Sequence, residues 1–122
     1  MATVTGPDFI ALQVRDVDAA AAFYEEHLGL RRTPASPPGA VVFATSPVPF
    51  AVRTPLPGVD LDAGRLGAGV ALWLHADDAQ ELHDRLTEAG VRIIAPPVDG
   101  PFGRTFTFAD RDGYAVTVHD RG

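Results

Sequence analysis

The 122-residue chain contains no cysteine and no lysine, and its only serines are Ser36 and Ser46, each next to a proline or one residue away from one. Thiolate chemistry, Schiff-base chemistry and a Ser-His-Asp hydrolase therefore have few or no candidate nucleophiles. Basic charge is scarce as well. All ten basic side chains are arginine, and the net charge is −6. That balance excludes a nucleic-acid partner, because phosphate binding needs a basic face. No apolar run approaches the roughly 20 residues of a membrane span, which argues against a membrane partner. The start, MATVTGPDF, lacks the charged and apolar regions of a signal peptide, so a cytoplasmic location is expected. What is present in quantity is apolar: hydrophobic residues make up 46% of the chain, enough to build a core.

The chain repeats itself. Phe9-Ile-Ala-Leu-Gln-Val14 reads as a strand, followed by Asp16 and an alanine-rich helical segment that ends at Gly29. Val70-Ala-Leu-Trp-Leu-His-Ala76 reads the same way, followed by Asp77 and a helical segment that ends at Gly90. Each Asp is placed to cap a helix start, and each Gly to end a helix in the left-handed conformation. Strand-like runs follow each helix. The first half has Ala40–Thr45 and Phe50–Thr54, separated by Ser46-Pro-Val-Pro49. The second has Val91–Ile94, Arg104–Ala109 and Tyr114–His119, with Asp112-Gly113 as a hairpin turn. The Gly- and Asp-rich stretch before Val70 reads as a connection. The expected organisation is an α+β fold of two βαβββ modules, residues 1–57 and 70–122, joined by a linker at 58–69 into one compact domain.

Three stretches carry a resemblance to a known family. Val14-Arg-Asp16 with Phe23-Tyr24 and His27-Leu-Gly29-Leu30 looks like the opening strand and helix of the glyoxalase/bleomycin-resistance/dioxygenase (vicinal oxygen chelate) superfamily. Leu74-His-Ala-Asp77-Asp78 with Leu86-Thr-Glu-Ala-Gly90-Val91 resembles its second-half counterpart, and Phe102 through Tyr114 its closing hairpin, with Arg111 where Pro is usual. The resemblance implies a curved mixed sheet forming a cup. In enzymes of the family a divalent metal sits in the cup, held by His, Glu or Gln on four strands. Mapped onto this chain, the ligand positions fall at Phe9, near Val52, at Ala71 and at Thr117. None offers an imidazole or carboxylate, and all four Glu lie in the helical segments. No metal and no cofactor is expected.

Alternation then assigns the cup face. Phe9, Ala11 and Gln13 share it with Ala71, Trp73 and His75, and with Ala115, Thr117 and His119; the residues between them are aliphatic and face the helices. Trp73, the only tryptophan, is expected in the cup with Phe9 and Phe50 nearby and Phe102 as a lid or wall. Phe106 and Phe108 are assigned to the core, and His27 and His83 to a solvated helix face. Gln13, Val52, His75, Thr117 and His119 complete the candidate ligand-binding set, and no catalytic residue is assigned. Asp110-Arg-Asp112-Gly113 resembles the start of a calcium loop without its remaining ligands, and a hairpin turn accounts for it. The resemblance implies a homodimer that sequesters a small planar aromatic ligand, which the acidic balance would favour as a cation. The alternative is a metal-independent isomerase or lyase with His75 or His119 as general base.

Overall fold

The structure, a computed structural model, describes residues 2–121. The fold is mixed α+β, with two small mixed sheets and two helices. The chain divides into two compact units, Met1–Leu61 and Asp62–Gly122. Leu61 itself, inside the stretch read as linker, is buried, and its carbonyl accepts a hydrogen bond from the Arg15 guanidinium at 2.9 Å.

The first unit runs β1 (Ile10–Gln13), α1 (Val17–Leu28), β2 (Ala40–Phe43) and β3 (Phe50–Arg53). Asp16 caps α1, its side chain accepting from the Ala19 amide at 3.0 Å. Gly29 ends the helix at φ 72°, a conformation that costs glycine little. The three strands lie in the order β1-β3-β2, with β1 parallel to β3. Expectation and structure part over the three strands after the helix: two form, and the place of the other is directly after α1. Only an isolated bridge, Arg32 to Phe43, stands there. The Thr33 amide donates to the Val42 carbonyl and the Ala44 amide to the Arg31 carbonyl, but Pro34 has no N–H to extend the ladder. The Val42 amide donates to the Ser36 hydroxyl instead.

The second unit completes the pattern. It runs β4 (Leu72–His75), α2 (Ala79–Glu88), β5 (Ile93–Gly100), β6 (Gly103–Ala109) and β7 (Ala115–His119), in the sheet order β4-β7-β6-β5. Asp78, not the expected Asp77, caps α2, accepting from the Glu81 amide at 3.0 Å. The strand read as Val91–Ile94 instead extends through Pro96 and Pro97 to Gly100. Its place at the sheet edge tolerates prolines, and the register shifts on both sides of Ala95 absorb them. The turn at Asp112-Gly113 forms as expected. Asp110 Oδ1 accepts from the amides of Asp112, Gly113 and Tyr114, so that oxygen serves the turn.

Each helix covers one face of its own sheet. In the first unit Ala20 and Ala21 let α1 approach closely, and Tyr24 packs edge-on against Phe50, ring centroids 5.1 Å apart, and against Phe43 at 6.2 Å. In the second, Ala79 and Leu86 are buried on α2, and Phe106, Phe108, Val116 and Val118 are buried in its sheet, Phe106 and Phe108 as expected. His83 departs from the solvated reading: its ring sits 5.4 Å from that of Phe106 and its side chain is only 19% exposed. The i, i+3 spacing from Leu86 places it on the helix's inner flank. His27 is half-buried, its ring 4.9 Å from that of Phe23.

One carboxylate closes the second unit. Asp120 accepts from the Ala79 amide at the start of α2 and from the Arg104 amide on β6. These two amides hold its carboxyl below the ordinary value of 3.8. A group whose folded pKa is depressed contributes stability above its unfolded pKa and loses it as pH falls through the folded one. Asp120→Ala should therefore lower the Tm at neutral pH, and the gap to the parent protein should close only below about pH 3.8, as read by circular dichroism melts. Phe50→Ala should cost about 3–5 kcal/mol in urea denaturation, since it empties a buried ring from beneath α1; a cost under about 1 kcal/mol would put the ring on the other face.

Candidate functional site

Strand pairing decides which side chains share a face, because residues opposite each other in a ladder point the same way. In the second unit Trp73 pairs with Thr117, His75 with His119, Thr117 with Thr107 and His119 with Thr105. These six residues stand on the face away from α2, while Leu72, Leu74, Phe106, Phe108, Val116 and Val118 stand beneath the helix. The expected placement of Trp73, His75, Thr117 and His119 on one face is what the register gives.

The rings on that face form one array. His119 sits at its centre, with ring centroids 5.8 Å from Trp73, 5.4 Å from His75 and 6.4 Å from Phe102. Phe102 and Trp73 meet edge to face at 5.5 Å. Trp73 remains 46% exposed and Phe102 54%. Below the rings Thr107 and Thr117 hydroxyls bond to each other at 2.8 Å. Half-exposed aromatic surface beside a few polar groups is the make-up of a small-molecule site.

Phe102 lies in the two-residue connection between β5 and β6, and that tip is tied down. Its carbonyl accepts from the Arg121 amide, and the Arg121 guanidinium donates to the Pro101 carbonyl. Gly103 follows at φ 82°, and a Cβ there would run into Asp120 Oδ1 and the Arg121 amide. Glycine at this position is what lets the hairpin close onto the C-terminal residues.

The first unit has a different face. Phe50 pairs with Ile10 and Val52 with Leu12. Both are buried, at 3% and 0% exposure, under α1. They are core residues, not the cup-facing ones expected, because the parallel ladder puts them beside the helix-facing positions of β1. The opposite face carries Ala11, Gln13, Ala51 and Arg53. Gln13 lies where expected, but its side-chain oxygen accepts from the Leu56 amide at 2.7 Å and so braces the loop after β3. Phe9 precedes β1 and is 52% exposed.

The two units also correct the ligand mapping. The Val14 amide donates to the Arg53 carbonyl as the Ala76 amide does to the His119 carbonyl. Arg53 is thus the counterpart of His119, and Ala51, not Val52, the counterpart of Thr117. Sequence alternation missed Arg53, Thr105 and Thr107. For Thr105 and Thr107 the signal was available in Thr-Phe-Thr-Phe, where every second residue is large and apolar; for Arg53 it was not, because three apolar residues precede it in Phe-Ala-Val-Arg.

Phe9, Ala51, Ala71 and Thr117 supply no imidazole or carboxylate, so these positions do not fit a divalent ion held by His and Glu. Among the described residues no group of three or more His, Cys, Asp or Glu is arranged to hold a metal. His75 and His119 stand as a pair only.

The glyoxalase/bleomycin resistance protein/dioxygenase superfamily model matches residues 6–118. No curated protein matches the chain. Among solved structures, TnmS3, an antibiotic binding protein from Streptomyces sp. CB03234, is similar at 22% identity and TM-score 0.77, with all of both chains covered. A lactoylglutathione lyase from Agrobacterium tumefaciens is similar at 22% identity and TM-score 0.69, over 98% of this chain and 96% of that one. The fosfomycin resistance protein FosX from Mesorhizobium loti is similar at 21% identity and TM-score 0.70, over 97% and 93%. At these identities the structures share a fold, and a fold hosts many functions. With a family model spanning residues 6–118, and with two helix-crossed units of the matching kind, the chain belongs to the glyoxalase/bleomycin resistance protein/dioxygenase superfamily.

Proposed function

We propose that this protein is a metal-independent small-molecule-binding protein that sequesters a planar aromatic antibiotic or natural product, acting as a homodimer in the cytoplasm. The observation that carries the reading is the ring array of Trp73, Phe102, His119 and His75 on the helix-free face of the second sheet. Offset and edge-to-face contacts with such rings contribute about 0.5–1.5 kcal/mol each beyond area burial, so a planar ligand meeting two of them gains specificity from geometry alone. The ligand-position residues Phe9, Ala51, Ala71 and Thr117 support metal independence through their chemistry. An antibiotic-binding protein among the structural neighbours supports the ligand class without fixing it. The histidine pair keeps an isomerase or lyase in view, but no carboxylate is hydrogen-bonded to either ring among the described residues to orient a general base.

Trp73 is its own reporter, being the only tryptophan. Titration with a panel of planar antibiotics should quench its fluorescence at one ligand per chain. Trp73→Ala should weaken binding by roughly tenfold or more in calorimetry and lower the drug tolerance of expressing cells. Absence of quenching across the panel, with unchanged tolerance in Trp73→Ala, would overturn sequestration. Turnover at substoichiometric protein, lost in His75→Ala or His119→Ala, would replace it with catalysis, and one tightly held divalent ion per purified chain would overturn metal independence.

A further inference from the structure

Ladder pairing carries the open face of the second sheet past the rings to its far edge. β6 pairs with β5 at Thr105–Val98 and Thr107–Ala95, so these side chains stand on the same side as Trp73. Ala109 and its partner Ala115 share that side. The face thus has rings over β4 and β7, threonines at its centre and small apolar residues around them. Val98, at the outer edge, is 57% exposed.

Hydroxyls make up the centre. Thr105 and Thr107 are two residues apart on β6, about 7 Å along the strand, and Thr117 stands opposite Thr107. The Thr107 and Thr117 hydroxyls bond to each other at 2.8 Å, which uses one of their two protons. That pair alone would be an ordinary cross-strand contact. Thr105 differs. Its half-buried hydroxyl has no hydrogen-bond partner among the described residues and stays within reach of solvent.

The ladder residues of this face include no carboxylate and no guanidinium. Asp99 and Arg104, next in the ladder, stand on the helix side, where the guanidinium donates to Asp99 and to Gln80 on α2. The Arg121 guanidinium, beyond the end of β7, donates to the Pro101 carbonyl. The net charge of −6 taken alone favours a cation, but exposed charges beyond about 8–10 Å are largely screened. An ion laid on the threonines would lose water without gaining a counter-charge, which is costly. A hydroxyl both donates and accepts, and so meets other hydroxyls in either role.

We propose that Thr105, Thr107 and Thr117 form a hydroxyl subsite that selects an uncharged planar aromatic ligand bearing a hydroxyl group of its own. The ring system lies against Trp73 and Phe102, its hydroxyl exchanges hydrogen bonds with the threonines, and Val98 borders its outer edge. This rests on the small-molecule reading above and narrows its ligand class. A planar ligand without the hydroxyl would cover the open threonines and leave them unpaired, which sets the selectivity.

The test titrates 2-naphthol, 2-methylnaphthalene, 2-naphthoate and 2-naphthylmethylammonium, alike in ring system, into 15N-labelled protein. Trp73, the only tryptophan, reports occupancy through its indole N–H. Naphthol should bind at least about tenfold tighter than methylnaphthalene and than either ion. Thr105→Val breaks no hydrogen bond of the fold and should narrow the naphthol-to-methylnaphthalene ratio. Adding Thr107→Val and Thr117→Val together removes both partners of a bond, a change the fold tolerates better than losing one, and should bring the ratio within about twofold. Methylnaphthalene binding as tightly as naphthol, an ion binding more tightly, or a ratio that survives in the triple variant would overturn the subsite while leaving the stacking surface intact. Failure of every probe to shift the Trp73 indole would remove the stacking surface and this inference with it.

Discussion

The parallel pairing of each unit's first strand with its last holds the architecture and aims the site. β1 lies along β3 and β4 along β7, each pair joined through a helix that must pack back on one face of the sheet. Paired residues share a side, so Ile10 with Phe50 and Leu12 with Val52 go beneath α1, and Leu72 with Val116 and Leu74 with Val118 go beneath α2. A slip of one residue would exchange buried and exposed sets along a whole strand. The hydrophobic burial that stabilises the fold therefore also fixes Trp73, His75, Thr117 and His119 on the remaining face.

The two units share this logic and differ in what it presents. At equivalent places the first carries Ala11, Gln13, Ala51 and Arg53, the second Trp73, His75, Thr117 and His119. Gln13 is engaged by the Leu56 amide and Arg53 by the Thr54 carbonyl, so in that unit the polar pair braces the loop after β3. The second unit keeps its rings exposed and its imidazoles unbridged by any carboxylate. The edge strands diverge too. Pro34 reduces the first unit's outer strand to a bridge, whereas β5 accommodates Pro96 and Pro97 by breaking register. That longer β5 is what brings a hairpin tip, and Phe102, to the site.

Much of this was legible because it is local. Asp16, Gly29 and the Asp112-Gly113 turn act within a few residues of themselves, and Leu-Trp-Leu-His alternates cleanly enough to give its own faces. Phe50 and Val52 were misplaced because Phe-Ala-Val-Arg holds three apolar residues before its first polar one, so the run alone does not say which face is buried. The ladder to Ile10 and Leu12 decides it, and that is a long-range fact. Asp77 was read as the cap of α2, but the helix starts one residue later, where Asp78 accepts from the Glu81 amide and Asp120, far along the chain, takes the Ala79 amide. His83 was assigned to a solvated helix face, while its ring contact with Phe106 depends on where β6 passes beneath α2.

His119 and Asp120 show how site and scaffold are coupled. They are consecutive in an extended chain, so their side chains leave on opposite faces. Asp120 fastens the start of α2 to β6 on one side, and the following Arg121 holds the carbonyls of Pro101 and Phe102. His119 stands among Trp73, His75 and Phe102 on the other. The same few backbone atoms thus set the helix, the hairpin tip and the central ring. Displacement at Asp120 would move Phe102 and His119 together, so the aromatic wall and its polar end shift as one body. Rigid presentation of that kind lowers the ordering cost of binding. It requires glycine at 103, where no side chain fits between the hairpin and the carboxylate that closes it.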